Sequence, residues 1–256
     1  MAQALESTID RVAGWLADAR QAVVFTGAGM STESGIPDFR SPGGVWSKSQ
    51  PVYYADFLAS AEARFEYWRQ KAAAADDFLR AEPNAGHQTI ARWEQMGRIV
   101  GVITQNIDNL HQRAGSRRVL ELHGTTRWVI CVDCDQRLEP MPVIEAFRTQ
   151  QAVPPCPACG GRLKSATVSF GQVLPADVLE ESIALAEESD LFFAIGSSLV
   201  VHPAAGLPDI ARRSGAKLVI INRDPTDQDH TADAVLHEPI GATLAQIDEA
   251  IGRVAR

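Results

Sequence analysis

The four cysteines of the chain stand in two short pairs, Cys131-Val132-Asp133-Cys134 and Cys156-Pro157-Ala158-Cys159. A disulfide framework would scatter cysteines along a short secreted chain, whereas thiols paired at this spacing form knuckles around a metal. Four thiolates complete a tetrahedral Zn²⁺ shell and leave no position for water, so the metal they predict is structural. The 21 residues between the pairs are one more than the ~15–20 of the usual two-knuckle pattern. Free thiols or a redox pair are the alternative, but Pro157, Gly160 and Gly161 favour knuckle turns. A second chemistry is written in Gly27-Ala28-Gly29, where missing Cβ atoms let backbone amides approach a phosphate and a following helical turn adds its positive end. Gly-x-Gly also serves as a plain tight turn, and the dinucleotide fingerprint is incomplete because Thr32 takes the third glycine position. His123, between a β-branched run and Gly124, has the ordinary pKa of ~6.5 that suits proton abstraction near neutrality. A lone histidine can equally be a hydrogen-bonded structural group, which is the reading preferred for His87 inside a helical pattern.

Alternating helices and strands must position these residues. Leu5, Ile9, Val12, Leu16 and Ala19 recur at steps of three and four, giving a helix over about 5–19. Ala22-Val23-Val24-Phe25 reads as a buried strand, 41–50 as a loop, and 55–80 as helical with Phe57, Phe65, Trp68 and Phe78 along one side. Asn84 caps a helix running to about Met96, and strands are predicted at 99–104 and 119–122. The segment 125–168 changes character, with short strands around the cysteines and a helix near 140–150. Helices at 175–188, 203–213 and from about 242 then alternate with strands at 191–195 and 218–221. The pattern predicts an α/β fold, a doubly wound parallel sheet covered on both faces.

In such sheets, ligands bind beyond the carboxyl ends of the strands. The residues placed there are Thr26-Gly27-Ala28-Gly29, Thr104-Gln105-Asn106-Ile107-Asp108, His123-Gly124, Gly196-Ser197-Ser198 and Asn222-Arg223-Asp224. Asn222 and Asp224 can bind ribose hydroxyls or simply form a turn; Ser197 and Ser198 can bond ribose or phosphate or cap a helix.

At 256 residues and 45% apolar content the chain can bury a large core, as one enlarged domain or a large domain with a small companion. A net charge of −8 with no basic stripe argues against nucleic acid. No apolar run approaches the ~20 residues of a membrane helix, and the first residues resemble neither a secretory signal nor a transit peptide. A cytoplasmic location is expected.

The string Gly27-Ala28-Gly29-Met30-Ser31-Thr32-Glu33-Ser34-Gly35-Ile36-Pro37-Asp38-Phe39-Arg40 resembles the sirtuins, NAD-dependent protein-lysine deacylases. Thr104 to Asp108, Leu122-His123-Gly124, both cysteine pairs, Val168-Ser169-Phe170-Gly171, Gly196-Ser197-Ser198 and the strand ending in Asn222 are similar to family motifs in the family's order, over about 15–245. The resemblance implies a Rossmann-like NAD-binding domain from 1–40, 98–124 and 169–256. It also implies a small domain made of a helical insertion, 41–97, and a zinc-ribbon module, 125–168. NAD and an extended acyl-lysine peptide would enter the cleft between them. The acyl carbonyl oxygen would attack the nicotinamide ribose, and the products would be lysine, nicotinamide and O-acyl-ADP-ribose. His123 would be the general base, with Asn106 and Asp108 steadying the developing positive charge. Gly27, Ala28, Gly29, Thr32, Asp38, Gln105, Asn106, Ile107, Asp108, Gly196, Ser197, Ser198 and Asn222 would bind NAD, Phe39 would shield the ribose and Arg40 would reach phosphate. Val168, Ser169, Phe170 and Gly171 would offer a strand edge to the peptide, and Cys131, Cys134, Cys156 and Cys159 would hold one structural Zn²⁺. A monomer suffices for these parts, and the sequence does not fix the oligomeric state.

Two departures bear on the substrate. Lys164-Ser165-Ala166-Thr167 stands where many sirtuins have Arg-Pro and apolar residues, and Gln172 replaces a usual Glu. Family members that take succinyl-type groups carry Tyr and, three residues later, Arg; here Tyr67 is followed at that spacing by Gln70, with Arg69 on another helical face. Acetyl or a longer apolar acyl chain is therefore expected over an acidic one. A sirtuin-like ADP-ribosyltransferase or NAD hydrolase is the rival activity, a dehydrogenase would keep the glycosidic bond, and a zinc-ribbon adaptor would bind nucleic acid without NAD.

Overall fold

The computed structural model describes residues 2–38, 44 and 50–254. Strands β1 (Ala22–Thr26), β2 (Gly101–Thr104) and β3 (Val119–Glu121) lie on one side of a six-stranded parallel sheet, in the order β3-β2-β1. The chain then returns to β1 on its other edge with β7 (Leu191–Ile195), followed by β8 (Lys217–Ile221) and β9 (Ala234–Leu236). The strand order thus reverses between β1 and β7, which is where a doubly wound sheet opens a crevice at its carboxyl edge.

Strands β1, β2 and β7 are buried along their whole length, as continuous apolar runs covered on both faces require. On one face Val24 packs with Val12 and Leu16 of α1 (Ala2–Asp18), Ile90 and Trp93 of α4 (Ala85–Gln95), and Leu244 and Ile247 of α9 (Ile240–Val254). On the other, Val23 and Phe25 meet Leu185 and Ala186 of α7 (Ala176–Glu188) and Leu207 and Ala211 of α8 (Leu207–Arg213).

A second sheet is antiparallel and three-stranded, with β4 (Gly124–Cys131) between β5 (Arg137–Leu138) and β6 (Leu163–Thr167). Its core joins Val129 and Leu163 to Phe57 of α2 (Tyr54–Ala59), Tyr67 and Trp68 of α3 (Ala61–Arg80) and Phe147 of α6 (Pro140–Gln150). The Trp68 indole N–H donates to the Leu163 carbonyl at 2.9 Å, which fastens α3 to β6.

Several expectations need correction. The helical stretch 55–80 is two helices, because Ser60 adopts an extended conformation and its hydroxyl accepts from the Ala63 N–H at 3.2 Å, capping α3 afresh. Its aromatic side chains do not share one face: Phe57 and Trp68 are in the small core, Phe65 is 37% exposed, and Phe78 packs near Ile36, Ala81 and Leu110. The segment expected to be helical over 203–213 opens as a 3-10 turn, Ala204–Gly206, before α8. Helix α5 (Leu110–Ala114) and β9 carried too short a pattern to read. His87 is structural as expected: its Nδ1 accepts from the Asn84 N–H at 3.3 Å while the Asn84 side chain accepts from the Gly86 and His87 amides.

The switch point is held by three glycines. Gly196 has φ +63, and a Cβ there would stand 2.3 Å from the Met30 nitrogen; a Cβ on Gly27 or Gly29 would stand 2.7–2.9 Å from Gly196 atoms. Gly196→Ala combines left-handed strain with a backbone clash and is expected to cost about 2–5 kcal/mol. A denaturant titration with an unchanged midpoint would contradict this.

Candidate active site and metal centre

The turn after β2 is held by hydroxyls at the strand ends. Thr26 Oγ1 donates to Thr104 Oγ1 at 2.8 Å, and Thr104 Oγ1 accepts from the Asn106 N–H at 3.0 Å. Asn106 Nδ2 donates to the Gly27 carbonyl at 3.0 Å and to Ser31 Oγ at 3.1 Å. Ser31 Oγ in turn donates to Asp108 Oδ2 at 2.6 Å, and Asp108 Oδ1 accepts from the Leu110 N–H at 3.0 Å. Burial pushes the Asp108 carboxyl above its usual range, and the Ser31 and Leu110 bonds pull against that shift. The buried Asn106, Ser31 and Asp108 therefore form one rigid polar cluster at the end of β2. Ser31 carries no local signal of this role, because its partners lie 75 and 77 residues away.

His123 follows β3. Its Nδ1 is 3.0 Å from the Gln105 carbonyl oxygen, which can only accept, so this bond assigns the proton to Nδ1 and leaves the lone pair on Nε2. Burial lowers the pKa of the ring, the Gln105 bond opposing it. The imidazole is thus kept neutral and basic at Nε2, the form a general base needs.

These groups open into a cavity of about 1130 Å³ at the carboxyl edge of the large sheet. Every described residue of the expected catalytic, coenzyme and peptide sets lines it. Its size exceeds the roughly 300–1,000 Å³ of single-ligand pockets, leaving room for more than one substrate. Phe39 and Arg40 fall outside the described residues. At the ends of β1 and β7 the glycines pack closely against one another. The Gly27 N–H donates to the Ile195 carbonyl at 2.9 Å and the Gly29 N–H to the Gly196 carbonyl at 2.8 Å, so both amides serve the turn and the missing Cβ atoms make room for Gly196. Ala28 opens a 3-10 helix, Ala28–Ser34, which Gly35 ends with φ +84. Thr32 Oγ1 donates back to the Gly29 carbonyl at 2.9 Å. Gln105 Nε2 donates to Ser197 Oγ at 2.8 Å, joining the ends of β2 and β7, while Ser198 is exposed. Asn222 Nδ2 donates to the Asp224 carbonyl at 2.7 Å. The Ile107 carbonyl accepts from the Thr126 N–H and hydroxyl at 3.0 and 2.8 Å.

β6 ends at Thr167, and Val168 to Gly171, expected as a strand edge, follow it as an extended link and a turn. The Val168 N–H donates to the His123 carbonyl at 2.8 Å, and the Phe170 carbonyl accepts from the Tyr54 N–H at 2.9 Å. Gln172 explains its own presence: its Oε1 accepts from the Ser169 N–H at 3.1 Å and closes the turn around Gly171, whose φ is +78.

Away from the cavity, the four cysteine sulfurs lie within 4.8 Å of one another, with Cys131–Cys159 at 3.6 Å and Cys134–Cys156 at 3.8 Å. Zn–S bonds of about 2.3 Å in a tetrahedron require sulfurs about 3.8 Å apart, so the set fits Zn²⁺; a disulfide would need about 2.05 Å. The two knuckles match: the residue after each pair, Asp135 and Gly160, is left-handed at φ +58 and +73. Cys131 and Cys156 are buried while Cys134 and Cys159 are exposed, and the Gly161 N–H donates to Cys159 Sγ at 3.3 Å.

Residues 27–203 match the Sir2 family. An NAD-dependent protein deacetylase of Rhodopseudomonas palustris is 49% identical over 246 residues, covering 95% of this chain and 97% of its own. An NAD-dependent protein deacylase of Archaeoglobus fulgidus is 43% identical over 251 residues, covering 98% of each chain. Among solved structures, a Sir2 protein bound to a propionylated peptide is similar with a TM-score of 0.86 at 39% identity, covering 95% of this chain and 98% of the other. A Sir2 complex with a peptide and NAD⁺ gives 0.87 at 38% identity, with the same coverage.

Proposed function

The chain belongs to the Sir2 family, and from that premise we propose that its cavity removes acetyl groups from protein lysines at the expense of NAD. Acyl-lysine, NAD⁺ and water give lysine, nicotinamide and O-acyl-ADP-ribose. NAD supplies a glycosidic bond from which nicotinamide leaves and a ribose that takes up the acyl group. The remaining chemistry belongs to the protein. His123 Nε2 accepts a proton from a ribose hydroxyl, in the tautomer that Gln105 fixes. Asn106 and Asp108 provide an amide dipole and a carboxylate where positive charge develops, and their bonds to Ser31 hold them there before the reaction begins. Thr26, Thr104 and Gln105 tie that cluster to the sheet. Val168 to Gly171 receive the peptide main chain beside His123.

The observation that carries this reading is the convergence, in one cavity, of a tautomer-fixed His123 with the Asn106–Ser31–Asp108 cluster. Incubation with an acetyl-lysine peptide should release nicotinamide and O-acetyl-ADP-ribose in equal amounts. Acetyl loss without NAD would refute it. Nicotinamide release with the peptide left acetylated would favour the hydrolase or ADP-ribosyltransferase alternative. Ser31→Ala leaves Asn106 and Asp108 without their shared partner, and kcat should fall by on the order of 10–10²-fold, with a smaller change in peptide KM. Equal kcat would show that the serine does not position them.

The large sheet, from 1–40, 98–124 and 169–256, is read as the NAD-binding domain; 41–97 and 125–168 are read as the small domain. Free thiols spaced for a metal accord with the reducing cytoplasm, which we propose as the location. No helix among the described residues is long and apolar enough to cross a membrane.

A further inference from the structure

Two buried histidines adjoin the polar cluster, and the chemistry given to His123 uses neither. His111 lies in the first turn of α5 and His87 in the first turn of α4. Their rings meet edge to face with centres 4.8 Å apart. Desolvation lowers the pKa of His87 to about 4 and that of His111 well below the ordinary histidine range, with His87 beside it adding to the second shift. Each ring is therefore neutral near pH 7 and carries a single N–H.

The surrounding bonds fix which nitrogen holds it. The Asn84 N–H donates to His87 Nδ1 at 3.3 Å, so the His87 proton is on Nε2. Thr26 Oγ1 gives its one hydrogen to Thr104 Oγ1 at 2.8 Å, so toward His111 Nε2, 2.9 Å away, it can only accept. The His111 proton is therefore also on Nε2, and its lone pair is on Nδ1. His87 Nε2 and His111 Nδ1 are buried and bond to no other group among the described residues. One is a donor and the other an acceptor, on rings that touch, and an unmet polar group in such a place is costly.

His111 reaches both halves of the cluster. Through Thr26 it leads to Thr104, whose Oγ1 accepts from the Asn106 N–H at 3.0 Å. Along the chain it anchors the first turn of α5, where the Leu110 N–H donates to Asp108 Oδ1 at 3.0 Å. Between Asp108 and Leu110 stands Asn109, left-handed at φ +63, a conformation that its surroundings have to hold. On the far side, Asn84 Nδ2 donates to the Met30 carbonyl at 2.9 Å and to Ser34 Oγ at 3.1 Å, within the 3-10 helix that carries Ser31. Polar contacts thus run from the Ser31 helix through Asn84 and back by Thr26, Thr104 and Asn106, and the circuit is open only between the two rings.

We propose that His87 Nε2–H donates to His111 Nδ1 and so keeps His111 in its Nε2–H tautomer, and that His111 in this form is a positioning residue for both Asn106 and Asp108. The inference rests on the deacylase reading and adds to it two residues that do not line the cavity. In the other tautomer His111 would take the Thr26 hydrogen for itself and withdraw it from Thr104. Loss of His111 should therefore slow the departure of nicotinamide, where Asn106 and Asp108 act, and leave peptide binding at Val168 to Gly171 intact.

The test has two arms. In the first, nitrogen NMR of the ¹⁵N-labelled protein near neutral pH should show both rings neutral, protonated on Nε2 and bare on Nδ1. A charged ring, or His111 protonated on Nδ1, overturns the proposal without any variant. In His87→Phe the His111 proton should spread over its two nitrogens; a proton that stays wholly on Nε2 overturns the part given to His87. In the second arm, kcat and peptide KM are measured with an acetyl-lysine peptide and NAD for the wild type, His111→Phe and His111→Gln, with folding checked by circular dichroism and zinc content. His111→Phe should lower kcat by on the order of tenfold with peptide KM within about twofold of the wild type. His111→Gln, whose amide can donate to Thr26, should recover most of that loss. Unchanged kcat in folded His111→Phe, or a Gln variant no better than Phe, overturns the positioning role. Should His111→Phe not fold, His87→Phe takes its place, with kcat again expected to fall and KM to hold. A wild type that leaves the acetyl group in place removes the deacylase reading itself, whatever the spectrum shows.

Discussion

Replacing His123 with alanine should lower turnover of an acetyl-lysine peptide by on the order of 10²–10⁴-fold, the range that one general base supplies. Because the Gln105 carbonyl holds the proton on Nδ1, the lone pair has to be on Nε2, and no tautomer change is needed before the ring accepts a proton. Burial lowers the ring's pKa, so the basic form is already populated at neutral pH. Accordingly kcat/KM should be level near pH 7 and fall only on the acid side, below the ordinary histidine value of ~6.5, as Nε2 becomes protonated. His123→Ala should also remove that acid limb from whatever activity remains. Its zinc content should match the wild type, since no cysteine of the metal set contacts the ring in the described hydrogen bonds. A variant that kept most of its turnover would move the base elsewhere.

What could be read from the sequence was whatever interrupted a pattern. Thr26-Gly27, Thr104-Gln105 and Gly196-Ser197 each end an apolar run that could only be a buried strand, and polar residues so placed share one edge of a parallel sheet. The cysteine pairs were legible because a metal imposes fixed local spacing. Distances between remote segments were not. Ser31 sits in a string of small residues whose helical turn brings it under Asp108, and nothing local marks that meeting. Gly27 and Gly29 suggest a phosphate cradle by their type; that their missing Cβ atoms also make room for Gly196, 167 positions beyond Gly29, is written nowhere near them. Nothing local marks Lys71 either; β6 brings Lys164 and Thr167 to the same tyrosine from far along the chain. Ser60 split one helical pattern into two because a single serine can stop one helix and cap the next.

Replacing Cys131 or Cys156 with alanine should abolish zinc content and destabilise the three-stranded sheet before any defect specific to catalysis. Both cysteines are buried, and Cys131 ends β4 while Cys156 opens the second knuckle, so each removed ligand lies inside the module and not on its rim. The small core holds fewer apolar side chains than either face of the large sheet. β5 is two residues long and pairs with β4 alone, whereas the large sheet has apolar packing on both faces. Structural zinc binding is worth about 10–16 kcal/mol near pH 7, comparable to the whole stability of a typical domain at about 5–15 kcal/mol. Losing the bound metal therefore removes a contribution of the same order as the stability of a whole domain. A chelator should lower the thermal midpoint of the wild type, and the effect should appear at lower chelator concentration as pH falls, because protons compete for the thiolates. Trp68, whose indole is hydrogen-bonded to β6, offers a fluorescence report on this core. Deacylation should be lost with the module, since β6 leads directly into Val168 to Gly171 and carries Thr167 into the cavity. A zinc-free, fully folded and fully active Cys131→Ala protein would show that the sulfur cluster is not what holds this sheet together.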